Sequence, residues 1–273
     1  MKATDINIRD PFILKENGIY YLYGTRARNF GRFVGGFDVY TSSDLENWSE
    51  AHECFNSENH GMNIEVNWAP EVHKYNGDYY MFATFTRESI KLRGTYILKA
   101  DNPLGPFKQV EQEAVAPPGW QCLDGTLYVD KKGKPWMVFC HEWLQVFDGQ
   151  MCAIPLSDDL GHAIGEPIIL FRASDAPWGA RLGGQDKHNG LVTDGPFLFR
   201  CDNGELISIW SSFDANGNYL GTGLAKIASK NHSVGTVPLT SRRSFAVTYV
   251  RDDVTYQTDR GYLATADTVT ASV

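Results

Sequence analysis

No apolar run in the 273-residue chain approaches the ~20 residues that cross a bilayer, so a membrane partner is not expected. The opening MKATDINIRDPF has no apolar leader either; the expected location is the cytoplasm, or outside the cell after loss of a leader. Cysteine is sparse. The five residues (Cys54, Cys122, Cys140, Cys152, Cys201) are widely spaced without a Cys-x-x-Cys pair, which excludes a disulfide framework and a zinc ribbon. Each is expected to act as a small buried apolar residue. Positive charge is in deficit: 25 Lys and Arg against 33 Asp and Glu leave a formal charge of −8. That balance disfavours nucleic acid and suits a neutral polar ligand. There is no Gly-rich phosphate loop, and no pattern calls for a cofactor or a metal. No long stretch repeats with a period of 3.6, so helices should be few.

What the chain does contain is a 42% hydrophobic, 13% aromatic composition able to build a large core, and a repeat. RDPFILKENGIYYLYGT from Arg9 is followed by APEVHKYNGDYYMFATF from Ala69. LDGTLYVDKKGKPWMVFCHEW from Leu123 and TDGPFLFRCDNGELISIWSSF from Thr193 come next. Each copy has an acidic residue, a short apolar strand, an Asn-Gly or Lys-Gly turn and a second, aromatic-rich strand. Such turns between β-prone runs are the strongest local hairpin signal. The acidic residues Asp10, Glu71, Asp124 and Asp194 recur roughly every 50–70 residues, enough for about four strands per copy. A fainter copy, RDDVTYQTDRGYLATA, starts at Arg251 and places Asp252 in step. Ser42-Ser43-Asp44-Leu45 reads as a turn at an outer edge. The spacing predicts an all-β chain, a five-bladed β-propeller with a short or divergent fifth blade, formed by residues 1–273 as a single domain.

In a propeller the innermost strands line a central channel, so equivalent positions in different blades converge. Acidic residues at the strand starts of blades one, three and four would therefore share a pocket, unless each simply caps its own turn. Clustered carboxylates separate in pKa, which lets one hold a proton while another acts as a base. Glycoside hydrolysis needs that division of labour.

At these residues the chain resembles glycoside hydrolase family 43. The likeness rests on Arg9-Asp10-Pro11, NWAPEVHKYNGDYYMFAT, LDGTLYVDKKGKPWMVF and TDGPFLFRCDNGELISIWSS, and covers roughly Ile6 to Ala225. The resemblance implies a five-bladed propeller acting on an oligosaccharide or polysaccharide. It also implies inverting removal of α-L-arabinofuranosyl or β-D-xylosyl groups, by exo action or debranching. By position Asp10 matches the general base, Asp124 the carboxylate that orients the acid, and Asp194 the general acid. Family members generally carry Glu before Gly-Pro; here Asp194 withdraws the carboxyl by roughly 1.5 Å, one carbon–carbon bond. Glu142, in Phe139-Cys140-His141-Glu142-Trp143, is the alternative acid, unless it is a solvent-exposed loop residue. The family's Gly-Gly-His-Gly stretch of the fifth blade has no counterpart; His232 lies in a turn sequence.

Trp68, of the Trp-Ala-Pro motif, is a candidate sugar-stacking platform or else a core tryptophan. Trp143 and Phe30 are further platform candidates, Glu71 a hydroxyl ligand or structural group, and His188 a substrate contact. Arg26 and Arg28 could reach sugar hydroxyls from the rim. The rival expectation is a glycan-binding propeller with little or no turnover. The sequence carries no signal of oligomeric state.

Overall fold

The structure, a computed structural model, describes residues 1–26, 35–60, 64–87, 91–176, 178–182, 189–200, 206–215, 219–230, 233–237, 247–251, 254–257 and 269–271. The first sheet runs β1 (Ile8–Glu16), β2 (Ile19–Arg26), β3 (Gly36–Ser42) and β4 (His52–Asn56), each strand antiparallel to the one before it. The second follows with β5 (Ile64–Tyr75), β6 (Asp78–Arg87), β7 (Arg93–Ala100) and β8 (Lys108–Gln109). The third holds β9 (Cys122–Val129), β10 (Pro135–His141), β11 (Gln150–Pro155) and β12 (Ile168–Arg172), with α1 (Trp143–Val146) between β10 and β11. The fourth is β13 (Asp194–Arg200), β14 (Leu206–Phe213), β15 (Tyr219–Lys230) and β16 (Ser233–Val237). In the fifth, β17 (Val247–Arg251) pairs with β18 (Val254–Gln257) on one side and β19 (Val269–Ala271) on the other.

Local chemistry explains the hairpins. Asn17 and Gly18 have φ of 51° and 79°, and Asn76 and Gly77 have 50° and 92°. Two-residue turns of that hand match the right-handed twist of the strands they join. At the outer corners, Ser42-Ser43-Asp44-Leu45 and Ser157-Asp158-Asp159-Leu160 use one device. A carboxylate accepts backbone N–H bonds from residues ahead of it while the leucine takes a positive φ, 64° at Leu45 and 61° at Leu160. The bonds from Asn47 and Glu46 hold the Asp44 carboxyl well below the usual carboxylate range.

One irregularity recurs at the start of the first strand of a sheet. The ladder slips between Arg9 and Phe12 in β1, between Trp68 and Glu71 in β5, and between Asp194 and Phe197 in β13. At each slip one residue is left-handed: Asp10 at 51°, Ala69 at 45° and Gly195 at 51°; Asp124 in β9 has 52°. These are β-bulges, which insert a residue and re-aim the side chains beside it. The acidic residues therefore do not share one register. Asp10 and Asp124 are themselves left-handed, Asp194 precedes Gly195, and Glu71 lies two residues past Ala69. Counting from one acidic residue to the next hides this offset, which the shared proline reveals: Pro11, Pro70 and Pro196 each directly follow the left-handed residue.

The chain divides into two compact units. One comprises Met1–Phe139 and Ala153–Ile168, the other Cys140–Cys152 and Ile169–Val273, so the division cuts through β10, β11 and β12. In the first unit, the facing sides of the first two sheets enclose Tyr23, Phe37, Val39, Phe55, Met81, Phe85 and Tyr96. Phe37, Phe55 and Phe85 stack with centroids 5.6–6.0 Å apart. Tyr23 is buried there, and its hydroxyl donates to the Pro103 carbonyl at 2.6 Å. The four described cysteines are buried free thiols; burial pushes the Cys152 thiol up to about 12. In the second unit Trp210 is buried beside Phe171 and Trp178, at 5.1 and 5.3 Å.

Phe85 packs on Phe37 and Phe55 of the first sheet and Tyr96 of the second, so Phe85→Ala should lower the unfolding free energy by about 3–5 kcal/mol. Urea denaturation reads this directly, and a loss below about 1 kcal/mol would contradict the placement of Phe85 at the centre of that core.

Candidate active site

Asp10, Asp124, Trp68, Glu71 and Arg26 belong to the first unit; Glu142, Trp143 and Asp194 belong to the second. Phe30, Arg28, His188, His232 and Asp252 lie outside the described residues.

Asp10 is solvent-exposed at the head of β1, and its Oδ2 accepts a hydrogen bond from Thr25 Oγ1 at 2.7 Å. The same Thr25 oxygen accepts the backbone N–H of Ala69 at 2.8 Å, so the first bulge is tied to the second. Asp124 is half-buried in β9 and its backbone N–H donates to Thr84 Oγ1 at 2.9 Å. Gly125 N–H donates to Thr95 Oγ1 at 3.0 Å. A side chain at residue 125 would not fit: its Cβ would lie 2.6 Å from a Thr95 methyl and 2.8 Å from Met137 Sδ. The Leu-Asp-Gly motif thus reflects close packing of the second sheet on the third.

Beside these carboxylates, His73 Nε2 lies 3.3 Å from both Glu71 Oε2 and Thr126 Oγ1. Its ring sits between Phe12 at 5.2 Å and Phe82 at 5.6 Å. Glu71 is engaged with this histidine, which fits the structural alternative better than that of a sugar ligand. Trp68 is half-buried, and the Arg93 guanidinium lies over its ring at 4.5 Å, a cation–π contact. Sugar stacking would be confined to the opposite face. His73, Arg93 and the four threonines (Thr25, Thr84, Thr95 and Thr126) were not singled out by sequence. Thr25 and Thr84 did leave a signal, since each follows the aromatic run of its repeat, after Tyr23-Gly24 and Phe82-Ala83.

Arg26 requires a correction. Its Nε donates to Asp38 Oδ2 at 2.9 Å and its NH2 nitrogen to Glu53 Oε2 at 2.8 Å, so the guanidinium joins β2, β3 and β4. The carboxylates that engage it sit on later strands, beyond the reach of local pattern. An outer cleft of about 860 Å³ between residues 111–118 and 161–167 is lined by none of the candidate site residues.

In the second unit, Glu142 is only 2% exposed, which removes the solvent-exposed alternative. It stands at the N-terminus of α1, where its carbonyl accepts from Gln145 N at 2.9 Å. Its neighbour His141 is buried with Nδ1 3.1 Å from Gln150 Oε1 and Nε2 2.9 Å from Gln145 Oε1, which pins the turn that carries Glu142. Trp143 is half-buried and packs on Gly190, where a Cβ would lie 2.4 Å from its ring. Asp194 is half-buried and pairs with Ser211 across β13 and β14.

The model of glycosyl hydrolases family 43 matches residues 5–232. A curated relative, the extracellular endo-α-(1→5)-L-arabinanase 1 of Bacillus subtilis (strain 168), is 24% identical over 193 residues. That alignment covers 62% of this chain and 58% of the relative, little more than half of its length. Among solved structures, the endo-arabinase from Bacteroides thetaiotaomicron VPI-5482 has a TM-score of 0.78 and 33% identity, with 98% of each chain covered. A thermostable family-43 glycoside hydrolase shares the fold at a TM-score of 0.66 and 23% identity, covering 86% of this chain and 73% of that one. The fold class is the all-β five-bladed β-propeller, with the five sheets as its blades.

Removing the Arg26 guanidinium leaves two carboxylates without their partner, so Arg26→Ala should cost about 1–3 kcal/mol of stability. Its effect on KM for a glycan substrate should stay within about twofold. A rise in KM of about tenfold with unchanged melting temperature would return Arg26 to the substrate.

Proposed function

Because the chain belongs to glycosyl hydrolases family 43, we propose that it hydrolyses α-L-arabinofuranosyl bonds in arabinose-containing glycans, by single displacement with inversion. The observation that carries this reading is the setting of Asp10: an exposed carboxylate on a left-handed bulge, with one oxygen fixed by Thr25. A carboxylate held in that way keeps a constant direction towards an attacking water. The preference for arabinose over xylose comes from the names of the two relatives above, both arabinan-cleaving enzymes.

In this mechanism Asp10 takes a proton from water as the water oxygen bonds to the anomeric carbon. The bond from that carbon to the leaving oxygen breaks, and the general acid delivers its proton to the leaving oxygen. An inverting pair needs about 6.5–9.5 Å between base and acid carboxyls, room for one water. Asp124 takes, by its place at the head of the third repeat, the role of the carboxylate whose negative charge favours the protonated form of the acid. Asp194 is the acid by its place before Gly195-Pro196. Glu142 is the second reading, favoured by its burial at the end of β10.

Hydrolysis of a panel of aryl glycosides (arabinofuranoside, xyloside, galactofuranoside) together with arabinan tests the proposal. Wild type should turn over the arabinofuranoside and arabinan, and Asp10→Asn should lose about 10²–10⁴-fold on both. Asp194→Asn and Glu142→Gln identify the acid. The variant lacking the acid keeps most activity on an aryl glycoside with a good leaving group and loses it on arabinan, whose leaving group needs the proton. Activity unchanged in Asp10→Asn would sink the mechanism; oligosaccharide binding without turnover by wild type would make the chain a glycan-binding propeller. Preferential turnover of the xyloside would move the substrate to β-D-xylosyl groups.

A further inference from the structure

Hydroxyl side chains occupy one position in three sheets. In each, the residue on the second strand that pairs with the residue just before the left-handed one is a threonine or serine. Thr25 pairs with Arg9, Thr84 with Trp68, and Ser211 with Asp194. Thr25 and Thr84 are almost completely buried, at 2% and 0% exposure. Threonine suits a strand, but a fully buried hydroxyl is stable only where its hydrogen-bonding capacity is used.

Both hydroxyls reach across to the left-handed residue of the next sheet. Thr25 Oγ1 accepts from Ala69 N, and Thr84 Oγ1 accepts from Asp124 N. Thr84 is also the cross-strand partner of Thr95, whose hydroxyl accepts from Gly125 N. Two adjacent threonines of the second sheet therefore grip two consecutive N–H groups of the third. A hydroxyl has a single proton to give. Thr25, with one lone pair engaged by Ala69 N, gives that proton to Asp10 Oδ2. Fixing Oδ2 fixes the plane of the carboxylate and the direction in which its other oxygen faces water.

We propose that Thr25 and the pair Thr84 and Thr95 are positioning residues, which set the aim of Asp10 and Asp124 from neighbouring strands and sheets. The inference rests on the reading of Asp10 as base and Asp124 as its companion. These threonines make no bond to be broken in the reaction; they act through the carboxylates. Their influence lies in kcat rather than in substrate affinity, because a carboxylate aimed wrongly still leaves the sugar-binding surface intact.

The test uses the full chain and the aryl glycoside on which wild type is most active. Valine matches the shape of threonine without its hydroxyl, and serine keeps the hydroxyl. Thr25→Val should lower kcat by about 10–100-fold with KM within about twofold of wild type. Thr25→Ser should stay within about threefold of wild type in kcat. Thr84→Val should likewise fall in kcat, with Thr84→Ser restoring it. Thermal melts confirm that each variant is folded at the assay temperature; where Thr25→Val is not, Thr25→Ala against Thr25→Ser makes the same comparison. A folded Thr25→Val with wild-type kcat, or a Thr25→Ser as impaired as the valine, overturns the proposal. Asp10→Asn separates the two levels. If it abolishes turnover while Thr25→Val does not, the positioning role fails and the base assignment stands. If Asp10→Asn remains active, the base assignment itself fails.

Discussion

A strand that contains a left-handed, non-glycine residue must be held there, since the conformation costs of order 1–3 kcal/mol wherever surrounding contacts do not enforce it. Asp10, Ala69 and Asp124 all meet that condition, at φ between 45° and 52°. The enforcement comes from outside each bulge. Thr25 grips the carboxylate of Asp10 and the N–H of Ala69, and Thr84 grips the N–H of Asp124. The aim of two carboxylates in the first unit depends on these few buried hydrogen bonds. The bonds depend in turn on sheets packed closely enough for a threonine to reach its neighbour.

That closeness is supplied by the aromatic core. The stack of Phe37, Phe55 and Phe85 lies between the first two sheets and sets their separation. Between the second and third, Gly125 allows the β9 backbone to approach Thr95 and Met137 where any larger residue would collide. Apolar packing therefore provides distance and hydroxyls provide direction. The outer corners at Asp44 and Asp159 use hydroxyls in the same way, with Ser42 and Ser157 each donating to the corner carboxylate.

Much of this was legible in the sequence wherever the chemistry is local. Asn17-Gly18 and Asn76-Gly77 announced their hairpins because few other dipeptides accept two positive φ values. The recurrence of an acidic residue ahead of each hairpin marked the sheet starts, and the family motifs pointed to Asp10, Asp124 and Asp194. What stayed hidden depends on register or on distant partners. Asp194 and Glu71 are displaced from the position of Asp10 relative to the bulge, an offset that matching acidic residue to acidic residue conceals. Arg26 looked available because Asp38 and Glu53 lie on other strands. Glu142 looked exposed because charged residues usually are, and only the packing around α1 shows it to be buried.

The use of glycine for the left-handed residue in the fourth sheet separates two demands that are fused elsewhere. Asp10 and Asp124 each combine a carboxylate with a left-handed backbone, which short aspartate tolerates far better than longer or branched side chains. At Asp194 the backbone demand falls on Gly195, leaving residue 194 in ordinary strand geometry. Its side-chain length is then not tied to a left-handed backbone, whereas that conformation favours a short aspartate at the other two positions. A carboxylic side chain of another length at residue 194 is a change this backbone can absorb.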